Sequence, residues 1–288
     1  MIIDAHAHLW KKQQGIVNGK PVFDIGGGKS DFGGEIKQMM PPYMTDGENT
    51  VERFLSNMDY AGVNGAVITQ EYIDGNQDEY LHSCKSDRIK ICALYEEKPL
   101  GDISGFDGIK ICAGRLADKN LLNHLEPFKV ANDNGKFISI DLADGDEQTS
   151  MMQEIIDIFP DLKIAIGHFG MVTREGWLEQ IKLAKNKNVF IESGGITWLF
   201  NSEFYPYPSA IKAIIESAEL VGYDKLMWGS DYPRTMTAIT YKMSLDFIEK
   251  TTKISEENKK LILGENARRF YGFSDIPDPQ KVKNMVED

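Results

Sequence analysis

The chain has 288 residues, of which 42% are hydrophobic and 26% are charged, the composition of an ordinary water-soluble globular protein. Its formal net charge of −12 argues against a nucleic-acid-binding surface, because such a surface needs a basic face. Its first residues do not show the basic and apolar pattern expected of a secretion signal, no apolar run has membrane-spanning length, and Cys84, Cys92 and Cys112 form no CxxC pair. We therefore expect a cytoplasmic protein with free thiols and with no membrane or nucleic-acid partner.

Short apolar runs, rich in Ile and Val and closed by Gly, Asp or Pro, alternate with amphipathic stretches along the chain. Such runs are typical of parallel strands that are covered by helices. Eight strands are predicted in this way, at residues 1–5, 65–70, 88–95, 108–114, 136–143, 162–170, 188–195 and 225–233. Helical periodicity falls at residues 50–62, 147–160, 174–187, 207–222 and 256–272.

The alternation of eight strands with helices predicts an α/β fold, a (β/α)8 TIM barrel that forms one domain over residues 1–288. An open, doubly wound sheet is the alternative, but no GxGxxG motif follows the first strand. Residues 11–49 fit neither period, and unstructured segments of this length in compact domains are usually functional. We predict a long irregular loop that covers the active site, in which the glycines at 26–28 have no phosphate-binding role.

The segment DAHAHLW places two of the chain's five histidines, His6 and His8, two residues apart at the end of the first strand. Side chains two apart on a strand point to the same side, so both imidazoles are able to converge on one point. A metal ion or a substrate could occupy that point. Taken alone, the pair fits a structural role equally well.

Polar side chains also stand at the carboxyl ends of five further predicted strands. In a TIM barrel these ends open onto one face, which carries the active site. An apolar barrel core gains nothing from such groups, because unpaired polar groups are costly to bury. The sequence therefore predicts an active site at this face, formed by His6, His8, Lys110, Asp141, His168, Glu192 and Asp231.

Four segments resemble the signature segments of the amidohydrolase-related (amidohydrolase 2) family of the amidohydrolase superfamily. They are DAHAHLW, FPDLKIAIGHFG, KLMWGSDYP and ILGENARRFYGF, in the order that the family has them. The resemblance implies a distorted TIM barrel and an enzyme, since the family includes hydrolases, lactonases, decarboxylases and hydratases. FISIDL, together with DAHAHLW and MWGSDYP, is similar to the sugar-lactonase and dicarboxylate-lactonase subgroup.

The resemblance also implies roles for the histidines and aspartates. His6 and His8 match histidines that bind a divalent metal, His168 matches a histidine that assists proton transfer, and Asp231 matches a metal ligand that acts as general base. Two imidazoles and a carboxylate suit Zn²⁺ with an open position for water. Many members have a further histidine ligand where this chain has Asp141, so Asp141 joins the predicted ligands and Mn²⁺ is the alternative ion. Some members of the lactonase subgroup work without metal, and that alternative stays open.

Four residues are predicted to contact the substrate: Lys110, Arg115, Glu192 and Arg234. Arg115 and Arg234 each follow a barrel strand, in loops where a carboxylate of an anionic small molecule would dock. Lys110 and Glu192 have an alternative role, because a lysine at the barrel mouth can form an ion pair with Asp141 or Glu192.

The leading functional hypothesis is a hydrolase that opens a lactone or similar cyclic ester, or cleaves an amide-like bond, in a small polar metabolite. Asp231 would deprotonate the attacking water, and His168 or a metal would stabilise the oxyanion. The alternatives are a non-oxidative decarboxylase or hydratase with the same residues, and a catalytically silent binding protein.

An aromatic stretch would line a pocket or bury the interface of a homo-oligomer: Trp198, Phe200, Phe204, Tyr205 and Tyr207.

Overall fold

The structure is a computed structural model that describes residues 1–84, 86–280, 283 and 285, so the end of the predicted domain, 286–288, lies outside the described residues. Along the described residues run twelve strands: β1 (Ile3–His8), β2 (Gln14–Val17), β3 (Lys20–Gly26), β4 (Lys29–Phe32), β5 (Ile36–Gln38), β6 (Gly65–Thr69), β7 (Ile89–Leu94), β8 (Gly108–Ile111), β9 (Phe137–Ile140), β10 (Ile164–Ile166), β11 (Val189–Glu192) and β12 (Leu226–Met227).

The same part of the chain forms ten α-helices: α1 (Val51–Ala61), α2 (Asp78–Ser83), α3 (Leu125–Asp133), α4 (Thr149–Ile158), α5 (Trp177–Lys182), α6 (Ile196–Leu199), α7 (Pro208–Val221), α8 (Met243–Glu249), α9 (Glu256–Lys260) and α10 (Asn266–Tyr271). A π-helical turn, Leu261–Glu265, joins the last two, which together occupy the helix predicted at 256–272. None of the helices in the described ranges has the length and apolar character that crossing a membrane requires.

Eight parallel strands form one sheet in the order β1-β6-β7-β8-β9-β10-β11-β12. Hydrogen bonds between β1 and the residues that follow β12 close the sheet into a barrel. Ala5 N–H donates to the Trp228 carbonyl, and His8 N–H donates to the Tyr232 carbonyl. Strands β6, β8, β9 and β11 are buried throughout, as their nearly continuous apolar sequences predict. The predicted TIM barrel is confirmed.

Helices cover the barrel through apolar side chains at helical spacing. In α1, Phe54 and Met58 are fully buried, and the helix ends at Gly62, whose φ of 75° is left-handed and is most easily adopted by glycine. A separate apolar cluster joins α10 to the barrel, where Phe270 packs with Phe137 and Phe190. These contacts fix the sheet, so each strand presents its carboxyl end at a defined place.

The prediction that residues 11–49 form an irregular loop is wrong. Strands β2 to β5 form a four-stranded antiparallel sheet in that order, and the glycines at 26–28 lie at the turn between β3 and β4. The sheet is bonded to the barrel where Gln14 N–H donates to the Asp74 carbonyl and Ile16 N–H to the Tyr72 carbonyl. The alternation of apolar and polar residues that marks a strand arises when one of its faces is buried. Most residues of these strands are exposed or half-buried, so their sequence does not show that alternation.

Candidate active site

A cavity of about 660 Å³ lies at the carboxyl ends of the barrel strands. Gln38 and Met39, at the end of β5, contribute to its wall, so the antiparallel sheet reaches the barrel mouth. Eight of the polar side chains that line it come from the ends of several strands and from the loops that follow them: His8, Glu71, Cys112, Arg115, Asp141, His168, Asp231 and Arg234.

His6, His8 and Asp231 meet at one point, although more than 220 residues separate Asp231 from the two histidines in the chain. The Nε2 atoms of His6 and His8 are 3.0 Å apart, and Asp231 Oδ1 lies 2.9 Å from His8 Nε2 and 3.9 Å from His6 Nε2. The backbone N–H of Asp231 donates to the His6 carbonyl at 2.9 Å, which joins the loop after β12 to β1. The predicted convergence of the two imidazoles with this carboxylate is therefore present.

The charges of this group suit a metal ligand set. Burial lowers the pKa of His8 well below its usual value, so its imidazole is neutral at physiological pH. Burial alone would raise the pKa of Asp231, but the hydrogen bond from His8 and the charge of Arg234 hold it below its ordinary value. A neutral imidazole and an ionised carboxylate are the forms that bind a metal ion.

The geometry also fits a divalent ion. With bonds of about 2.0 to 2.1 Å, tetrahedral Zn²⁺ places its ligand atoms roughly 3.3 Å apart. The three separations among His6 Nε2, His8 Nε2 and Asp231 Oδ1, from 2.9 to 3.9 Å, bracket that value. These residues would hold the ion and leave a position for water or substrate.

Glu192 holds His6 in the orientation and tautomer that a metal ligand requires. Its Oε1 lies 2.6 Å from His6 Nδ1, which places the proton on Nδ1 and leaves the Nε2 lone pair directed at His8 and Asp231. The carboxylate itself is fully buried, and its Oε2 accepts from Gly194 N–H at 2.6 Å. Glu192 thus lies behind His6, away from the cavity.

Replacing Glu192 by Gln should weaken Zn²⁺ binding about 10- to 100-fold, because the amide keeps a hydrogen bond to His6 but loses the charge that makes its ring a stronger ligand. Competition with a chelating dye measures this affinity. Glu147→Gln, which alters an exposed carboxylate of the same cavity, is the matched control. Equal Zn²⁺ affinity in the two variants would contradict the role given to Glu192.

His168, Asp141 and Lys110 form a second charged group beside the first. His168 Nδ1 donates to the Gly194 carbonyl at 2.8 Å, and its Nε2 lies 3.4 Å from Asp141 Oδ2. Burial would lower the pKa of His168, but the Asp141 carboxylate raises it to about 10. His168 is therefore an imidazolium at neutral pH, able to donate a proton into the cavity.

Lys110 is fully buried, and its Nζ lies 2.6 Å from Asp141 Oδ2. The two groups are not aligned as a hydrogen bond, so their attraction is chiefly ionic. Burial would raise the pKa of Asp141, but Lys110 and then His168 hold it well below its usual range. Gly167 makes room for this carboxylate, since a Cβ there would lie 2.1 Å from Asp141 Oδ1.

Two predictions about individual residues need correction, and the metal-ligand role of Asp141 stays a prediction. Lys110 and Glu192 lie beneath the cavity and do not line it, so neither is placed to contact a substrate. Asp141 does line it, but its oxygens do not join the group formed by His6, His8 and Asp231. It comes close enough for shared coordination with His6 and His168, and in a second group with Glu71 and Cys112. Lys110 offsets its charge.

Arg115 and Arg234 both line the cavity, and their contact with a substrate stays a prediction. Arg115 Nε lies 2.9 Å from Glu71 Oε1, and Arg234 Nη2 donates to Asp74 at 2.7 Å. Arg234 Nη1 is buried without a hydrogen-bond partner among the described residues and lies 3.8 Å from Asp231 Oδ1. Arg115 is thus paired with one carboxylate and Arg234 with two, and both guanidinium groups retain donors for a ligand.

Glu71 and Asp74, which hold these arginines, were missed by the sequence reasoning. Both follow β6, whose carboxyl end faces the same cavity, so the rule that selected the other strand ends could have found them. Cys112, one of the predicted free thiols, also lines the cavity. Burial raises its pKa well above the usual value, so it stays a thiol.

The backbone is unusual at the residues that carry the chemistry. His168 and Asp231 have φ values of 55° and 57°, and Phe169 and Met171 beside His168 also have positive φ. Side-chain-bearing residues rarely adopt this left-handed region, and such residues concentrate at functional sites where the surrounding structure holds them. The turns aim both side chains at the cavity.

A family model described as amidohydrolase matches residues 104–273. Among curated proteins none matches the sequence. Several solved structures share the fold. An amidohydrolase from Burkholderia multivorans with bound zinc is 14% identical with a TM-score of 0.69, over 95% of this chain and 100% of that one. A probable 2-pyrone-4,6-dicarboxylic acid hydrolase from Acinetobacter baumannii with bound citric acid is 19% identical with a TM-score of 0.68, over 94% and 99%.

A more distant structure, 5-carboxyvanillate decarboxylase from Sphingomonas paucimobilis, is 16% identical with a TM-score of 0.50, over 79% of this chain and 84% of that one. At these identities the similarity establishes the barrel and not the reaction.

Proposed function

This chain belongs to the amidohydrolase family, whose model matches more than half of it, and on that premise we propose that it hydrolyses a small anionic lactone. The observation that carries the proposal is the meeting of the His6, His8 and Asp231 group with a protonated His168 in one cavity bordered by two arginines. This cavity offers a base for water, an acid for a leaving oxygen and cations for an anionic substrate.

The reaction needs one proton removed and one supplied. Asp231, ionised and beside the imidazoles, takes a proton from the water that attacks the lactone carbonyl. His168 stabilises the negative oxygen that forms, and it gives its proton to the ring oxygen when the carbon–oxygen bond breaks. The product is a hydroxy acid, and solvent exchange returns Asp231 and His168 to their starting states.

A divalent ion held by His6, His8 and Asp231 would lower the pKa of water and polarise the carbonyl. We propose Zn²⁺ as this ion, because the donors are two imidazoles and one carboxylate. The zinc in the Burkholderia multivorans amidohydrolase is consistent with that choice.

The substrate class is inferred from the walls of the cavity. Arg115 and Arg234 have N–H donors that their paired carboxylates do not occupy. Guanidinium groups recognise carboxylates through paired hydrogen bonds. A volume of about 660 Å³ accommodates a small metabolite. The description of the Acinetobacter baumannii structure as a dicarboxylic acid hydrolase with bound citric acid supports an anionic substrate.

A screen of lactones with and without a carboxylate tests the proposal, with acid release followed by titration in a pH-stat. Each reaction is repeated after chelation and after addition of Zn²⁺. Aromatic and unsaturated acids are included, with CO₂ detection, because a decarboxylase could use the same residues. CO₂ release without lactone opening would replace the proposal with that alternative. Neither metal binding nor turnover would favour a silent binding protein.

Replacing Arg115 by Gln should raise KM for an anionic lactone by roughly tenfold or more, the usual effect of losing a hydrogen bond to a charged group. KM for a neutral lactone should change little. Arg174→Gln is the control, because Arg174 is more than half exposed, pairs with Asp144 and does not line the cavity. The same rise in KM for both lactones would argue against a carboxylate contact at Arg115.

A further inference from the structure

Trp198 makes a direct contact with the group proposed as general base. Its indole Nε1 donates to Asp231 Oδ2 at 2.7 Å, while His8 Nε2 lies 2.9 Å from the other oxygen, Oδ1. The carboxylate is therefore held at both ends. An indole nitrogen only donates, so this contact favours the ionised carboxylate and fixes which oxygen lies on the Trp198 side.

The chain is built to place this indole. Trp198 lies in the short helix α6, which follows the glycine pair at the end of β11. A Cβ at Gly195 would lie 1.7 Å from Trp198 Nε1, and Gly195 also has a φ of 69°, so a larger residue there would displace the ring. The indole also forms an edge contact with the His168 ring, with centroids 6.1 Å apart. Trp198 thus contacts both Asp231 and His168, the proposed base and the proposed acid.

We propose that Trp198 is a positioning residue, which acts through Asp231. By holding Oδ2, the indole turns Oδ1 toward the Nε2 atoms of His6 and His8 and prevents the carboxylate from rotating away. The aromatic stretch after β11 therefore has a defined role in the site at its first residue. This inference deepens the proposed function and rests on Asp231 as its base, but the contact itself can be tested without a substrate.

The first test observes the hydrogen bond in the metal-free protein by NMR of ¹⁵N-labelled indoles. The chain has four tryptophans, and Trp198→Phe identifies the resonance of interest by its loss. The indole proton of Trp198 should resonate downfield, and Asp231→Ala should move its resonance upfield. Near-UV circular dichroism checks that the Asp231→Ala variant is folded. An indole resonance that does not respond to Asp231→Ala would overturn the proposal.

The second test measures the consequence of the contact. Trp198→Phe should weaken Zn²⁺ affinity and lower kcat on the best lactone by about 10- to 100-fold with KM little changed, the usual effect of removing a residue that orients a ligand. Trp198→His restores a ring N–H donor and should recover part of both losses. Trp177→Phe is the control, since Trp177 is similarly half-buried and does not line the cavity.

The outcomes separate this inference from the proposed function. Zn²⁺ affinity and kcat in Trp198→Phe equal to those of Trp177→Phe would overturn the positioning role, as would losses that Trp198→His fails to restore. If the wild type binds no Zn²⁺, the positioning role is judged from kcat alone, by the same comparison of Trp198→Phe with Trp177→Phe and Trp198→His. Failure of the proposed function would instead be seen as an active Asp231→Asn variant, while the NMR response still reports on the contact.

Discussion

Replacing Asp231 by Asn should lower kcat on a lactone substrate by about 10³-fold, within the range that general acid–base catalysis contributes. Asn has nearly the same shape, so it fills the buried position between His8 and Trp198, but it cannot take a proton from water. It is also a poorer metal ligand, and that loss acts in the same direction. Steady-state kinetics on the best lactone, with a melting curve to show that the fold persists, gives the measurement.

The matched control is Asp144→Asn, the same change at another aspartate of the same cavity. Asp144 is more than half exposed and pairs with Arg174, away from both imidazoles, so its variant should retain nearly wild-type kcat. If Asp231→Asn kept activity close to that of Asp144→Asn, Asp231 would not be the base and the proposed mechanism would be discarded.

Replacing Lys110 by Met should lower the free energy of unfolding by about 3 to 5 kcal/mol, because it leaves the Asp141 carboxylate without its closest partner in a buried setting. His168, 3.4 Å from Asp141, remains as partial compensation and favours the lower end of that range. Urea denaturation measures the change. This large effect on stability follows from a lysine for which the sequence left open a substrate contact or an ion pair with Asp141, and which the structure buries completely against Asp141.

The double variant Lys110→Met with Asp141→Leu provides the control. Replacing both members of a buried ion pair by apolar residues of similar size is often close to neutral, so the double variant should recover much of the lost stability. A single variant within about 1 kcal/mol of the wild type would show that Asp141 is satisfied without Lys110, and the buried ion pair would have no large stabilising role.

The fold was predictable because its signal is local and repeated. Buried parallel strands must be apolar along their whole length, and this is visible in segments such as those of β6 and β9 without knowledge of their neighbours. The sheet of β2 to β5 had no such signal. Its strands are largely exposed, and what holds them is pairing with each other and with the loop after β6.

The site divides in the same way. The sequence by itself determined which residues stand at strand ends. Side chains two residues apart on a strand lie on the same side, so the grouping of His6 and His8 with Asp231 could be anticipated. Only the tertiary structure decided how deep each side chain lies: Lys110 and Glu192 stand at strand ends yet point beneath the cavity. It also decided that Trp198 contacts Asp231. The burial depth and the contacts of each side chain depend on how the closed barrel and its loops pack around each strand end. That packing cannot be predicted from the position of a residue in the sequence.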